Sequence, residues 1–200
     1  MRSELLRQVV HAGGIFFIFL AWFLDKFLLS MMLLSISIFF LIYSEYVIRK
    51  ERSWVGIVNR IEGKIRDFAT WLERDHVKRP FLGAFWFYFA CSFAFFFYSL
   101  SIATVSCMIL AVADAASTLV GRKGRIRIIQ NKTLEGTIVF FITSLFVSIF
   151  FLNIYLSMIA AITATLSEVF PDIFNEKWRM FIDDNWTIPL ITGFILTLTM

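Results

Sequence analysis

Apolar runs dominate the chain, and short polar breaks separate them. The first run spans about Val9 to Leu24. It is short for a crossing helix, which needs about 20 residues. A start nearer Leu5 would bring His11 into the helix. Asp25-Lys26 makes a turn. Further runs are Phe27 to Ile48, Phe81 to Tyr98, Ile102 to Val120, Gly136 to Leu152, Leu156 to Phe170 and Thr187 to Met200. Pro80 precedes the third run, Ser99–Ser101 and Asn153–Tyr155 read as turns, and Pro171 stops the sixth. The pattern predicts an all-α, polytopic integral membrane protein with about seven transmembrane helices.

Residues 49–80 break the pattern. Apolar positions there fall at Trp54, Ile57, Val58, Ile61, Ile65, Phe68 and Leu72, one face of a helix. Arg60, Lys64, Arg66 and Arg74 occupy the other faces, and Gly56 and Gly63 weaken the helix locally. An amphipathic helix lying in the membrane interface fits this pattern, as does a cytosolic helix packed on neighbouring spans.

Composition narrows the class. A hydrophobic content of 59% with a mean hydropathy of +0.77 excludes an ordinary water-soluble globule. Residues 1–200 read as one membrane-embedded domain, without an obvious internal repeat or low-complexity linker. Cys91 and Cys107 lie in apolar runs without metal-ligand spacing, which predicts buried free thiols. No A-x-A-like cleavage site follows the first run, so no cleavable signal peptide is expected.

The net charge of +4 matters less than its placement. Segments 1–8, 49–80, 121–136 and 171–186 hold 18 of the 19 Lys and Arg, leaving Lys26 on the other side. The positive-inside rule puts those four segments in the cytosol and the C-terminus outside.

The chemistry gathers on the same side. Asp114 is a carboxylate inside an apolar run, with Ser117, Thr118 and Gly121 along its helical stripe. An ionisable group there faces a partner or a wet cavity. It can hold Mg²⁺ against nucleotide phosphates, or pair with Arg122 or another helix. Gly121-Arg122-Lys123-Gly124, with Arg125, Arg127 and Lys132, forms a basic loop that is not a Walker A motif. The next helix starts against this loop, and its free N–H groups and dipole favour phosphate. Asn131 or Thr133 can cap that helix instead. Glu168, at i+3 from Thr165, and Asp184 are the other acids near the boundary, open to metal binding, proton transfer or plain solvation. His11 is a general base, a substrate ligand or a packed polar residue, and Glu45 reads as a helix-end residue.

Taken together, these motifs resemble a known family. Asp114-Ala115-Ala116 through Gly121-Arg122-Lys123-Gly124, then Asn131-Lys132-Thr133-Leu134-Glu135-Gly136, is similar to the CTP-dependent polyprenol kinase family, which includes dolichol kinase, phytol kinase and the CTP-dependent diacylglycerol kinase. Phosphatidate cytidylyltransferases share a related stretch. Ala164-Thr165-Leu166-Ser167-Glu168 and Asp184-Asn185-Trp186-Thr187-Ile188-Pro189 look like the kinases' ending, and the cytidylyltransferases' P-G-H-G-G-x-x-D ending is absent. Arg7 and His11 resemble an R-x-x-x-H element of the kinases.

The resemblance implies transfer of the γ-phosphate of CTP to the hydroxyl of a membrane isoprenoid alcohol such as a dolichol or polyprenol. It implies Asp114, Glu168 and Asp184 as Mg²⁺ ligands, with these and His11 as catalytic groups. Gly121, Arg122, Lys123, Gly124, Asn131, Lys132, Thr133, Glu135, Gly136 and Asn185 become the nucleotide site. The expected partners are CTP, the alcohol and the lipid bilayer, and no nucleic acid. The active face is cytosolic, in the cell membrane of a prokaryote or the endoplasmic reticulum of a eukaryote. Two rivals stand beside this reading: a phosphatidate cytidylyltransferase-like enzyme making a CDP-lipid, and a non-enzymatic small transporter or assembly subunit. A transporter would place its charges near the bilayer midplane in repeated halves, and here they gather toward one face.

Overall fold

The computed structural model of the chain describes residues 13–49, 63–64, 66–67, 81–129, 132–174 and 182–200. His11, Asn131 and nearly all of the predicted interfacial helix lie outside these residues; Gly63, Lys64, Arg66 and Asp67, from its middle, are helical. The described elements are α1 (Gly14–Phe19), continued by a 3-10 turn (Leu20–Trp22), α2 (Lys26–Ile48), α3 (Leu82–Phe97) and α4 (Leu100–Gly121). Then come β1 (Arg127–Ile129), β2 (Lys132–Thr133), α5 (Leu134–Ile149), α6 (Ile154–Val169) with a 3-10 turn (Phe170–Ile173), and α7 (Asp184–Thr199).

Among the described residues three stretches are long and apolar enough to cross a membrane: Lys26–Ile48, Leu100–Gly121 and Ile154–Ile173. Leu82–Phe97 and Leu134–Ile149 are shorter apolar helices. The described chain is thus mostly helical, with a small antiparallel hairpin that an all-α reading leaves out. In that hairpin Arg127 faces Thr133 and Ile129 faces Lys132, with an irregularity between the two pairs. Pro171 does not end the helical path at once: it sits inside the 3-10 turn after α6.

Most helix starts have local causes. Asp25 caps α2 by accepting from the amides of Phe27 and Leu28 at 2.9 and 3.2 Å. Asn153 caps α6 through the Leu156 amide, and Asp183 caps α7 through the Asn185 amide, both at 2.9 Å.

The helices form one bundle around α4. That helix packs on α5 and α7, and touches α1, α3 and α6. It is the most enclosed candidate span, 67% buried against 28% for α2 and 39% for α6. Small residues, among them Ala103, Ser106, Ala111, Ala113, Ala115 and Ser117, let its neighbours approach. Cys91 and Cys107 are free and buried, one each in α3 and α4.

Hydroxyl groups join α2 to α3. Ser30, Ser37 and Ser44 repeat every seven residues and are all buried. Ser30 Oγ donates to the Ser92 carbonyl at 2.9 Å, and Ser92 Oγ returns the bond to the Ser30 carbonyl at 2.8 Å. Ser37 Oγ donates to the Phe85 carbonyl at 3.1 Å. Without water, such bonds satisfy the groups and fix the register of the pair.

The two ends of the bundle are distinct. At one end Lys26 Nζ donates to the Tyr98 carbonyl at 3.1 Å, and Trp22 meets Phe151 edge-on. The other end holds the C-termini of α4 and α6, the hairpin, and the N-termini of α3, α5 and α7. There α4 meets α5 at two glycines. A Cβ built on Gly136 would lie 3.0 Å from the Gly121 Cα and 3.2 Å from the Ser117 carbonyl oxygen. Both neighbours are backbone, so a methyl group forces the helices apart. We predict that Gly136→Ala lowers stability by about 1–3 kcal/mol, read as a lower unfolding temperature in detergent. An unchanged temperature would show that the contact is not tight.

Candidate functional site

The basic loop folds into a compact unit. Lys123 N donates to the Val120 carbonyl and Gly124 N to the Gly121 carbonyl, at 2.9 and 3.0 Å, turning the chain out of α4. Thr133 Oγ1 donates to the Gly121 carbonyl at 3.1 Å and accepts from Gly136 N at 3.3 Å, so one hydroxyl ties the end of α4 to the start of α5. The Glu135 carboxylate accepts from Arg125 N at 2.7 Å and from Ile126 N at 3.4 Å. A Cβ at Gly124 would lie 2.7 Å from Glu135 Oε2 and 2.8 Å from Thr133 Cβ, so the loop closes over this glycine.

This geometry gives several motif residues a first duty in the fold. Gly121, Gly124, Thr133, Glu135 and Gly136 build the loop. At the start of α5, Leu134 N donates to the Ile126 carbonyl and Gly136 N to Thr133, so these two amides are not open to a phosphate. The cap is Thr133, one of the two residues expected to compete with an anion there. Arg122, Lys123, Arg125 and Arg127 are exposed on the loop.

Lys132 turns the other way. Its Nζ lies 2.5 Å from Glu168 Oε1 and 3.2 Å from Asp184 Oδ2. One side chain of β2 therefore joins the last turn of α6 to the first turn of α7. The Lys132 side chain is 16% exposed and that of Glu168 only 2%. Glu168 Oε2 is buried and takes no hydrogen bond. Thr187 Oγ1, on α7, donates to the Ser167 carbonyl on α6 at 3.0 Å and fixes the two helices at this level.

The field at this point is strongly acidic. Burial alone would lower the Lys132 ammonium, but Asp184, Glu168 and Asp114 outweigh it and hold the group above its ordinary value. Asp114, half-buried on α4, thus acts on Lys132 through space. Asp183 belongs to the same field, although the sequence reading favoured its neighbour Asp184. Burial, then the adjacent Asp184 charge, push Asp183 up to about 7, while bonds from Asn185 oppose the shift. Its Oδ1 accepts from Asn185 Nδ2 at 2.6 Å, which orients that side chain. Pro189 has no N–H, so the Asn185 carbonyl takes no helical bond from position 189. The clue to Asp183 in the sequence was its place before a helix start, where a side-chain oxygen is favoured.

The structure thus joins Lys132, Glu168 and Asp184 directly, with Asp114 and Asp183 in electrostatic reach. The exposed cations stand on the loop just before Lys132. Trp186, beside Asn185, contacts Trp86 of α3 with ring centroids 6.3 Å apart. Among the described residues no three His, Cys, Asp or Glu side chains already converge as a metal cage. The donors at hand are nonetheless hard carboxylate oxygens, one of them the unbonded Glu168 Oε2. That is the chemistry Mg²⁺ takes, with the rest of its shell from water and phosphate.

Comparison with known proteins finds two similar sequences, one of them a lipid kinase. The chain is 29% identical to CTP-dependent diacylglycerol kinase 1 of Eremothecium gossypii over 154 residues, 62% of this chain and 46% of that protein. It is 33% identical to an uncharacterized protein of Methanocaldococcus jannaschii over 90 residues, 44% of each chain. The chain spans less than half the length of either of these relatives. No family model and no solved structure matches it.

The loop geometry makes a prediction. Glu135→Ala frees the Arg125 and Ile126 amides, so trypsin should cut after Arg125 or Arg127 several-fold faster while helix content by circular dichroism stays the same. Equal cleavage rates would show that the carboxylate does not hold the loop.

Proposed function

We propose that the protein is a membrane-embedded, CTP-dependent lipid kinase. It moves the γ-phosphate of CTP to the hydroxyl of a membrane alcohol. The observation that carries this reading is the joining of Lys132, Glu168 and Asp184 at the bundle end that also presents Arg122, Lys123, Arg125 and Arg127. Similarity to a CTP-dependent diacylglycerol kinase supports the donor and the reaction class. The motif resemblance favours an isoprenoid alcohol as acceptor, and the relative's name gives diacylglycerol as the alternative. Both present a neutral hydroxyl at the membrane surface.

In this reading the loop cations neutralise the triphosphate, and Asn185 lines the same end. Asp114, Glu168 and Asp184 would hold Mg²⁺, which when bound would offset charge on the β- and γ-phosphates. The acceptor oxygen attacks the γ-phosphorus, the bond to the β-phosphate oxygen breaks, and CDP leaves. The hydroxyl proton passes to a carboxylate at this end of the bundle. Little else is asked of the protein, because phosphoryl transfer depends mostly on positioning and charge stabilisation. His11 and Asn131 keep the roles proposed from sequence. All seven apolar runs cross the membrane in this reading, with the site on the cytosolic face.

Purified protein in detergent, with CTP labelled at either the γ- or the α-phosphorus, tests the proposal against a polyprenol and a diacylglycerol. We expect γ-label in one of the two lipids and no α-label. Asp114→Asn and Asp184→Asn should each lower transfer by about 100-fold or more while the protein still inserts and folds. Label from the α-phosphorus in lipid, with pyrophosphate released, would replace the kinase by a cytidylyltransferase. Near-normal turnover in Asp114→Asn would make Asp114 a structural group.

A further inference from the structure

We infer that the Lys132 ammonium and a divalent cation are alternative occupants of the Glu168–Asp184 carboxylate pair, so that binding of the cation releases Lys132 toward the basic loop. This rests on the proposed metal-binding role of Glu168 and Asp184.

The two carboxylates stand on packed helices, and the lysine reaches them on a long, flexible stem. Glu168 and Asp184 stand on helices held together by the bond from Thr187 Oγ1 to the Ser167 carbonyl. Lys132 starts from a two-residue strand whose pairing with β1 is irregular. Its four-carbon stem can swing without moving a helix.

The present contact also leaves the pair incomplete. Lys132 engages one oxygen of Glu168, and the other oxygen of this 2%-exposed side chain has no donor. An ammonium is a compact point charge with three protons. A divalent cation takes six or more oxygens, carries twice the charge and can use the oxygen that Lys132 leaves unbonded. The two cations repel each other, so they do not share the pair.

Release has a direction. Lys132 follows the stretch that carries Arg122, Lys123, Arg125 and Arg127, and its freed charge joins theirs. A polyphosphate then meets the full set of cations only once the carboxylates hold metal. The site would thereby favour a metal-loaded nucleotide over a bare one.

The test uses the full chain in detergent without nucleotide. Wild-type protein is treated with an amine-reactive ester, with and without Mg²⁺ at matched ionic strength, and labelling is read by mass spectrometry. Labelling of Lys132 should rise several-fold with Mg²⁺, while Lys26, bonded to the Tyr98 carbonyl at the far end, stays constant. Mn²⁺ binding, read by electron paramagnetic resonance, should be on the order of tenfold tighter in Lys132→Met. It should be weaker in Glu168→Gln and Asp184→Asn. Unchanged or reduced labelling of Lys132 overturns the inference even if Lys132→Met does not fold. So does Mn²⁺ binding in a folded Lys132→Met no tighter than in wild type. If Mn²⁺ binding ignores both carboxylate variants, the metal-site reading itself fails and takes the inference with it.

Discussion

A single buried charge pairing organises the end of the bundle where the polar chemistry lies. Glu168 is almost wholly withdrawn from solvent, and a carboxylate in that position needs a partner. Lys132 supplies it and reaches Asp184 as well. Removing one member of such a pair costs about 3–5 kcal/mol, because the other charge is left buried and uncompensated. Three elements distant in sequence are therefore held by one ammonium. The remaining features of this end either support Lys132 or face it. Thr133 caps the helix that follows, and Thr187 pins the helices that carry its partners.

The loop shows how few side chains are needed to shape a cationic surface. Five basic residues between Gly121 and Gly136 repel one another. Glu135 opposes this by gripping two loop amides, and Thr133 holds both flanking helices. The backbone is tied down while Arg122, Lys123, Arg125 and Arg127 remain exposed. An anion meeting them finds much of the ordering of the backbone already complete, which favours binding.

Much of this fold was legible because apolar runs are an unambiguous signal. Observed helix edges fall close to most of the expected ones, Lys26–Ile48 against Phe27 to Ile48 and Leu82–Phe97 against Phe81 to Tyr98. The hairpin was missed. Arg125-Ile126-Arg127-Ile128 alternates as a strand does, yet the same residues read equally well as basic loop. The serine seam of α2 was missed too, because a seven-residue repeat of small polar residues is faint within a run of Phe, Leu and Ile. Glu135 marks a limit of another kind. A residue that touches a ligand and one that shapes its loop occupy the same place in a motif, and only the bonds to Arg125 N and Ile126 N reveal the second role. Lys132 was legible as a site residue, but its carboxylate partners lie 36 and 52 residues away, beyond any local pattern.

The lengths of the helices bear on the membrane itself. In the proposed seven-span arrangement α3, α5 and α7, each 16 residues long, would cross with about 24 Å of rise, against about 30 Å of hydrocarbon. A bilayer answers such a mismatch by thinning around the protein, at a cost of fractions of a kcal/mol per Å. Both headgroup planes would then dip, including the one at the end where all three of these helices have their N-termini. For the kinase proposed above, an alcohol anchored by its tail would be lowered with it, its hydroxyl carried toward the level of Glu168 and Asp184 without leaving the lipid.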